Sequence, residues 1–554
     1  MGSQLTRLFE RGRILALDIL IKGARVIDGT GNPWFHADVG VDDGKIVTVG
    51  NYRGAEAARI IEADGLVVCP GFIDIHSHSD WPLLVNPKAE SKIRQGVTLE
   101  VIGNCGGSAA PLKGKALDTA EGTAKDHGIE LRWSSMAEYL ALLERQGVAL
   151  NVASLVGQGT VRASVMGYEK RAPTKQELEQ MKTLVSQAMK EGAFGISTGL
   201  VYPPGCYAET DELIELSKVV ARHGGFYASH IRSQNELMFD SVKEAIEIGE
   251  KAMLPVQISH EIPAPPIWGQ EEKLLKMSDE ARQEGIDVAC DVLVYLRGET
   301  NLKQLVPDWA HSGGDEKLIE RLKDPEIREK IKKETTEKGA AAGGSAKRAL
   351  IQLGLWNKIW LSECSINVDL CGKDFGEIAK LRNVTDPFDA VFDLLIEEKA
   401  GGSIMGEDKL QIDIDYALNH STSMVGSDGS ALAPYGVLGR GKVNPRSYGT
   451  FPKVLAGYVR ERNVITLESA IRKMTSFPAQ RLRLPDRGLL KPGMWADITV
   501  FDQDRIMDKA TYDSPYQYPE GIPYVLVNGK LVIEDGEHTG ALPGKILRNL
   551  IRDR

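Results

Sequence analysis

Features that mark several functional classes are scarce in this chain. Its 554 residues hold six cysteines (Cys69, Cys105, Cys206, Cys290, Cys364 and Cys371), too few and too scattered for a disulfide framework. That usage fits a reducing compartment with one thiol kept for chemistry. No stretch reaches the ~18 consecutive apolar residues of a membrane span. Arg7, Arg11 and Arg13 are followed by a short apolar run that Asp18 interrupts, so the apolar core of a signal peptide is missing. A cytoplasmic location is the expectation. The formal net charge is −10, with both signs interspersed. Without a basic stripe, neither nucleic acid nor an anionic membrane is an expected partner.

What the chain does contain is a globular composition, 42% hydrophobic and 26% charged, with ample material for a core. The length exceeds one ordinary domain, although an α/β barrel can account for half of it. From Leu17 to Val68 short apolar runs alternate with turns, and Asp43-Gly44 is a hairpin signal. The tail repeats the style in Ala496–Phe501 and Tyr524–Ile533, where Asn528-Gly529 is a second hairpin turn. Residues 15–70 and 476–554 are therefore expected to build one small β-sandwich domain from both ends of the chain.

Between them, residues 71–475 alternate strands and helices, the mark of a parallel sheet. Strands are expected at 71–78, 97–104, 149–157, 193–200, 225–230, 255–260, 286–293 and 422–428. Amphipathic helices are expected at 134–146, 174–191 (opened by the capping box Thr174-x-x-Glu177), 211–223, 238–252 and 271–284. Eight strands with intervening helices make a (β/α)8 TIM-like barrel, with a doubly wound sheet as the alternative. One long insertion, 300–421, separates strands seven and eight. It carries a charged helical stretch at 315–338, a hinge at Gly339–Gly344, and the aromatics Trp356, Trp360 and Phe375. An insertion after a barrel strand lies on the catalytic face, which suggests a lid.

Six polar residues stand at the C-terminal ends of the expected strands. His76 and His78 end the first, Cys105 the second, His230 the fifth, His260 the sixth and Asp428 the eighth. Each has an ordinary explanation alone: a satisfied core histidine, a small buried thiol, a turn residue before Gly429. Together they gather where a barrel places catalysis. Imidazoles and a thiolate are also the donors a borderline-soft cation such as zinc prefers. The other histidines (36, 127, 223, 311, 420 and 538) read as surface or helix-capping groups.

Several runs resemble the amidohydrolase superfamily and, within it, the D-aminoacylase (N-acyl-D-amino-acid deacylase) branch. They are Gly71-Phe72-Ile73-Asp74-Ile75-His76-Ser77-His78, Gly103-Asn104-Cys105-Gly106, Ser229-His230-Ile231-Arg232, Ile258-Ser259-His260 and Gly426-Ser427-Asp428-Gly429. Pro445-Arg446-Ser447-Tyr448-Gly449-Thr450-Phe451 and Leu489-x-Lys491-Pro492-Gly493 continue the likeness over nearly the whole chain. The resemblance implies one tight zinc on Cys105, His230 and His260, with a second, weaker position at His76, His78 and Asp428 that shares Cys105. It implies Asp428 as general base, Tyr202 and Tyr295 as substrate contacts, and a small N-acyl amino acid as substrate. Arg440 is the candidate for the substrate carboxylate, with Arg446 as competitor, because a guanidinium fork matches a carboxylate.

The chain departs from the pattern in places. Strand four, Phe194-Gly195-Ile196-Ser197-Thr198-Gly199-Leu200, lacks the bridging lysine of many superfamily members. Strand seven reads Asp291-Val292-Leu293-Val294-Tyr295, with leucine where relatives carry a polar contact, and His260 is followed by Glu261-Ile262-Pro263. These departures bear on substrate more than on chemistry. A cyclic amide or imide hydrolase or a dipeptidase of the same superfamily is the alternative activity, and an inactive scaffold the remote one. The reading leaves room for a homo-oligomer.

Overall fold

A computed structural model describes residues 17–51, 56–339 and 345–549. The arginines of the N-terminal segment and Gly343 and Gly344 of the expected hinge lie outside those residues. Among the described residues no helix is long and apolar enough to cross a membrane.

Eight parallel strands form a barrel: β1 (Phe72–Asp74), β2 (Val97–Ile102), β3 (Asn151–Ser154, continued by Val156–Gly157), β4 (Gly195–Gly199), β5 (Phe226–His230), β6 (Val256–Ile258), β7 (Val288–Val292) and β8 (Ser423–Val425). Every residue in them is buried, as expected when helices cover one face of a sheet and side chains fill the other. The inside is packed with Ile73, Leu99, Val101, Ala153, Phe226 and Met424, so the barrel is a filled core that leaves only its mouth open. The ring closes where Ser77 bridges Gly429. There the Asp428 N–H donates to the His76 carbonyl (2.8 Å) and the His78 N–H to the Gly429 carbonyl (2.9 Å).

The helices match the sequence pattern closely. Lys175–Lys190 and Met136–Gln146 both start with complete capping boxes, Thr174 with Glu177 and Ser135 with Glu138. The first strand is shorter than expected. It leaves the ladder after Asp74, so His76 and His78 are held by the closing contacts with Asp428 and Gly429 rather than by regular strand alternation.

Strands from both ends of the chain join in a single nine-stranded sheet, with Ile498–Phe501 antiparallel to Val67–Pro70 at the junction. Its core includes Ile21, Val39, Ile46, Ile498 and Leu526. The insertion has a core of its own and a three-stranded antiparallel sheet, Arg297–Asn301, Ser403–Glu407 and Ile359–Glu363, which the sequence pattern did not reveal. Trp356 and Phe375 serve that core. Trp356 meets Phe388 edge-on (4.9 Å) and packs near Phe375 (6.2 Å), while Trp360 lies under the Arg297 guanidinium (3.6 Å).

His311 also differs from its surface reading. It is 4% exposed, with Nε2 3.1 Å from the Val306 carbonyl. Burial, with Lys303 nearby, pushes its pKa down to about 4. The unfolded imidazole titrates near ~6.5, so the unfolded chain binds the extra proton between those values. The contribution is intact above pH 6.5 and is lost as pH falls toward 4. We expect the insertion to lose roughly 3 kcal/mol of stability over that window. Hydrogen exchange of the insertion at neutral and acidic pH should show this loss in the native protein and a flatter response in His311→Gln. Equal pH responses in the two proteins would contradict the assignment.

Candidate metal centre

The mouth of the barrel gathers the six residues expected there. Cys105 is central: its Sγ lies 3.3 Å from His76 Nε2, 3.7 Å from His230 Nδ1 and 3.6 Å from His260 Nε2. On the side of strand closure, Asp428 Oδ1 is 2.9 Å from His78 Nε2 and 3.4 Å from His76 Nε2. Two donor groups result, His76–His78–Cys105–Asp428 and Cys105–His230–His260, and they share the thiol. One sulfur, imidazole nitrogens and a carboxylate oxygen in this arrangement fit one or two zinc-like ions.

The backbone reaches this convergence at a conformational cost. Cys105 (φ 51°), His260 (φ 36°) and Asp428 (φ 50°) all adopt left-handed φ values, which few residues other than glycine do. Such strain concentrates at functional sites, where the surroundings enforce it. Glycines permit the packing around Cys105. A Cβ on Gly199 would fall 2.1 Å from the Cys105 carbonyl oxygen, and one on Gly106 would fall 2.6 Å from the Gly199 nitrogen. Strand four thus needs glycine where the cysteine turn rests on it.

Supporting contacts orient the donors. Asp291 Oδ1 is 3.1 Å from His76 Nδ1 and accepts the His260 backbone N–H (2.8 Å), while its Oδ2 accepts from Gln257 (2.7 Å). The Gln234 amide lies 3.1 Å from His260 Nδ1. Carboxylate and amide partners on the far ring nitrogen are how metal-binding histidines are usually held. The sequence pattern gives Asp291 no part, although an acid inside an apolar strand is itself a signal.

Electrostatics divide the cluster. Burial disfavours a charged His76, but Asp291 and Cys105 outweigh it and raise the pKa well above the ordinary value. His78 is raised to about 9, burial again being outweighed, here by Asp428 and Cys105. Burial and the neighbouring His260 lower His230 to about 4. The Cys105 thiol would be raised by burial, yet the charge of His76 and hydrogen bonds from His230, His260 and His76 hold it well below its usual range. Asp428 is likewise held well below the carboxylate range against burial, first by Arg446 and then by His78.

The remaining expected site residues separate. Tyr202 lines the cavity, packs against the His230 ring (5.1 Å) and lies 3.1 Å from Thr300 Oγ1. Arg446 is buried and donates to Asp428 (2.6 Å), stands 3.9 Å from Glu299, and keeps a buried Nε without a partner. Arg440 lines the same cavity but is exposed at its rim. That contrast favours Arg446, the competitor, over Arg440 as the inner guanidinium. Tyr295 does not reach the cavity. It is buried, with its ring 6.4 Å from Tyr512 and the Lys453 ammonium 4.9 Å from it. The cavity itself measures about 640 Å³, and the insertion supplies part of its wall through Thr300, Asn301, Glu363 and Ser403.

Comparison with known proteins places this geometry. The model of the amidohydrolase family matches residues 59–311 and 419–533. The chain is 35% identical to a D-aminoacylase of Alcaligenes xylosoxydans xylosoxydans, over 96% of this chain and 97% of that one. It is 34% identical to an N-acyl-D-glutamate deacylase of the same organism, over 96% of each chain. Among solved structures, the N-acyl-D-glutamate deacylase of Bordetella bronchiseptica, complexed with zinc and a phosphonate inhibitor, is 31% identical. It superposes with a TM-score of 0.81, covering 96% of this chain and 100% of its own.

The electrostatic division makes a measurable difference among the six cysteines. Burial raises the thiol pKa of Cys69, Cys206, Cys290, Cys364 and Cys371, and only Cys105 is lowered. Metal-free protein at neutral pH should show the ultraviolet absorbance of one thiolate, absent from Cys105→Ser. A thiolate signal that survives this substitution would place the anionic sulfur elsewhere.

Proposed function

The chain belongs to the amidohydrolase family, and on that footing we propose that it is a zinc-dependent deacylase. It hydrolyses the amide of N-acyl-D-amino acids to a carboxylate and a free D-amino acid. The observation that carries this reading is the thiol of Cys105 set among four imidazoles and Asp428 at the floor of a cavity. Cys105, His230 and His260 would hold the tight metal, and His76, His78 and Asp428, sharing Cys105, would make the weaker position beside it. Bound zinc supplies polarisation of the acyl carbonyl and lowers the pKa of a coordinated water from ~15.7 toward ~7.

The chain's own groups supply the rest. Asp428 takes the proton of the attacking water and delivers it to the leaving nitrogen. Arg446 holds that carboxylate ionised and fixed through its 2.6 Å hydrogen bond. Arg446 also lines the cavity, and its guanidinium receives the substrate α-carboxylate, which orients the D-isomer's carbonyl toward the cluster. Tyr202, braced by Thr300, closes the cavity beside His230 and limits water around the reacting carbonyl. Six cysteines without disulfides support a reducing, cytoplasmic setting.

Metal analysis combined with a panel of paired D- and L-N-acyl amino acids tests the reading. Zinc-dependent release of amine from the D-isomers is expected, and equal release from both isomers would contradict the stereochemical part. Asp428→Asn should keep the tight metal while turnover falls by about 10²–10⁴. A near-normal rate in that variant would make Asp428 a turn residue and remove it from the chemistry.

A further inference from the structure

The cavity extends well past the catalytic cluster. From Cys105 it runs between helix Gly114–Asp126, which follows β2, and helix Gln158–Met166, which follows β3. Ala116 and Ala120, one helical turn apart and therefore on one face, line it from the first helix. Ala163 lines it from the second, and Leu112 and Trp81 complete the wall. Thr119 and Thr123 of the first helix, His127 at its end and Thr160 of the second line it as well. At the far end Thr119 Oγ1 and Tyr168 Oη meet at 3.1 Å and arch over it.

This arm differs in kind from the rest of the cavity. No lysine, arginine or glutamate lines it, and its one acid, Asp80, is tied to the backbone N–H groups of Gly103 (3.1 Å) and Ala109 (3.3 Å). The charged lining residues Glu299, Glu363, Arg440 and Arg446 all come from segments that follow β7 or β8. In a ring of eight strands, β3 lies across the mouth from β7, the strand that precedes Glu299 and Glu363. A substrate lying over the cluster therefore has charged groups on one side of its scissile amide and, on another, a channel of alanines, Leu112 and Trp81 interspersed with uncharged hydroxyls. For the acyl group to enter the channel, the amino acid's carboxylate lies toward Arg446.

We propose that this arm is an acyl-chain subsite and that the enzyme acts on N-acyl amino acids whose chains are well beyond acetyl in length. The proposal rests on the deacylase reading above and adds the class of acyl group. The size agrees with it: cavities of roughly 300–1,000 Å³ enclose drug-sized ligands, a class larger than an N-acetyl amino acid, and this one measures about 640 Å³. Burial of the chain gives the energetic gain. Each methylene removed from water should raise kcat/KM about three- to fourfold until the chain passes the Thr119–Tyr168 arch.

The zinc-loaded enzyme should be assayed with one D-amino acid carrying acetyl, butanoyl, hexanoyl, octanoyl and decanoyl groups. A parallel series should keep acetyl constant and lengthen the amino-acid side chain. The expected result is a steep rise of kcat/KM along the acyl series. Ala120→Phe should lower the octanoyl-to-acetyl ratio at least tenfold, and Thr119→Phe, at an exposed position outside the core, should lower the decanoyl-to-acetyl ratio. A flat acyl series beside active acetyl substrates would overturn the subsite and leave the deacylase reading standing. A rise along the side-chain series alone would hand the arm to the amino acid and overturn it too. Release of amine from none of the acyl amino acids would sink the deacylase reading itself, and the subsite with it.

Discussion

Two backbone hydrogen bonds close the barrel, from Asp428 to the His76 carbonyl and from His78 to the Gly429 carbonyl. They tie the last strand to the first, and the two ends of the catalytic cluster meet there. Beneath them Lys92, fully buried, binds Asp74 at 2.7 Å and Ser427 at 2.5 Å, so the same junction is ionically pinned from inside. Removing one partner of such a buried pair would leave a bare charge, at a cost of about 3–5 kcal/mol. The separation of Asp428 from His76 and His78 therefore depends on strand closure, although some 350 residues of chain lie between them.

Charge is the second constraint. Around Cys105 the structure sets a thiol and a carboxylate that favour ionisation beside His76 and His78, which favour protonation, and His230, which resists it. Such a site has negative charge to neutralise and nitrogen lone pairs to offer. Protons satisfy part of it, and a divalent cation can replace them, which links metal affinity to pH. The left-handed backbone at Cys105, His260 and Asp428 is strain spent on that convergence, and the glycine at position 199 makes room for it.

Much of this was legible in the sequence, for reasons that differ by residue. Five of the barrel strands are short apolar runs ending in His, Cys or Asp, and that pattern alone singled out the six candidate donors that the fold brings together. Helix starts at Thr174 and Ser135 were readable because a capping box is local chemistry. The insertion's three-stranded sheet was not readable, since its strands pair across some 100 residues and only tertiary contacts define them. Residue type and strand position do not show how far a side chain reaches: Tyr295 packs in the core and Arg440 stands exposed at the cavity rim. Asp291 needed the folded register to bring it to His76 and His260.

The central claim is that the Cys105 sulfur belongs to the metal's coordination shell. X-ray absorption spectroscopy of protein loaded with one zinc per chain tests it directly. The account predicts one sulfur at about 2.3 Å together with nitrogen and oxygen ligands at about 2.0–2.2 Å. A shell of nitrogen and oxygen alone, with no sulfur, would contradict it.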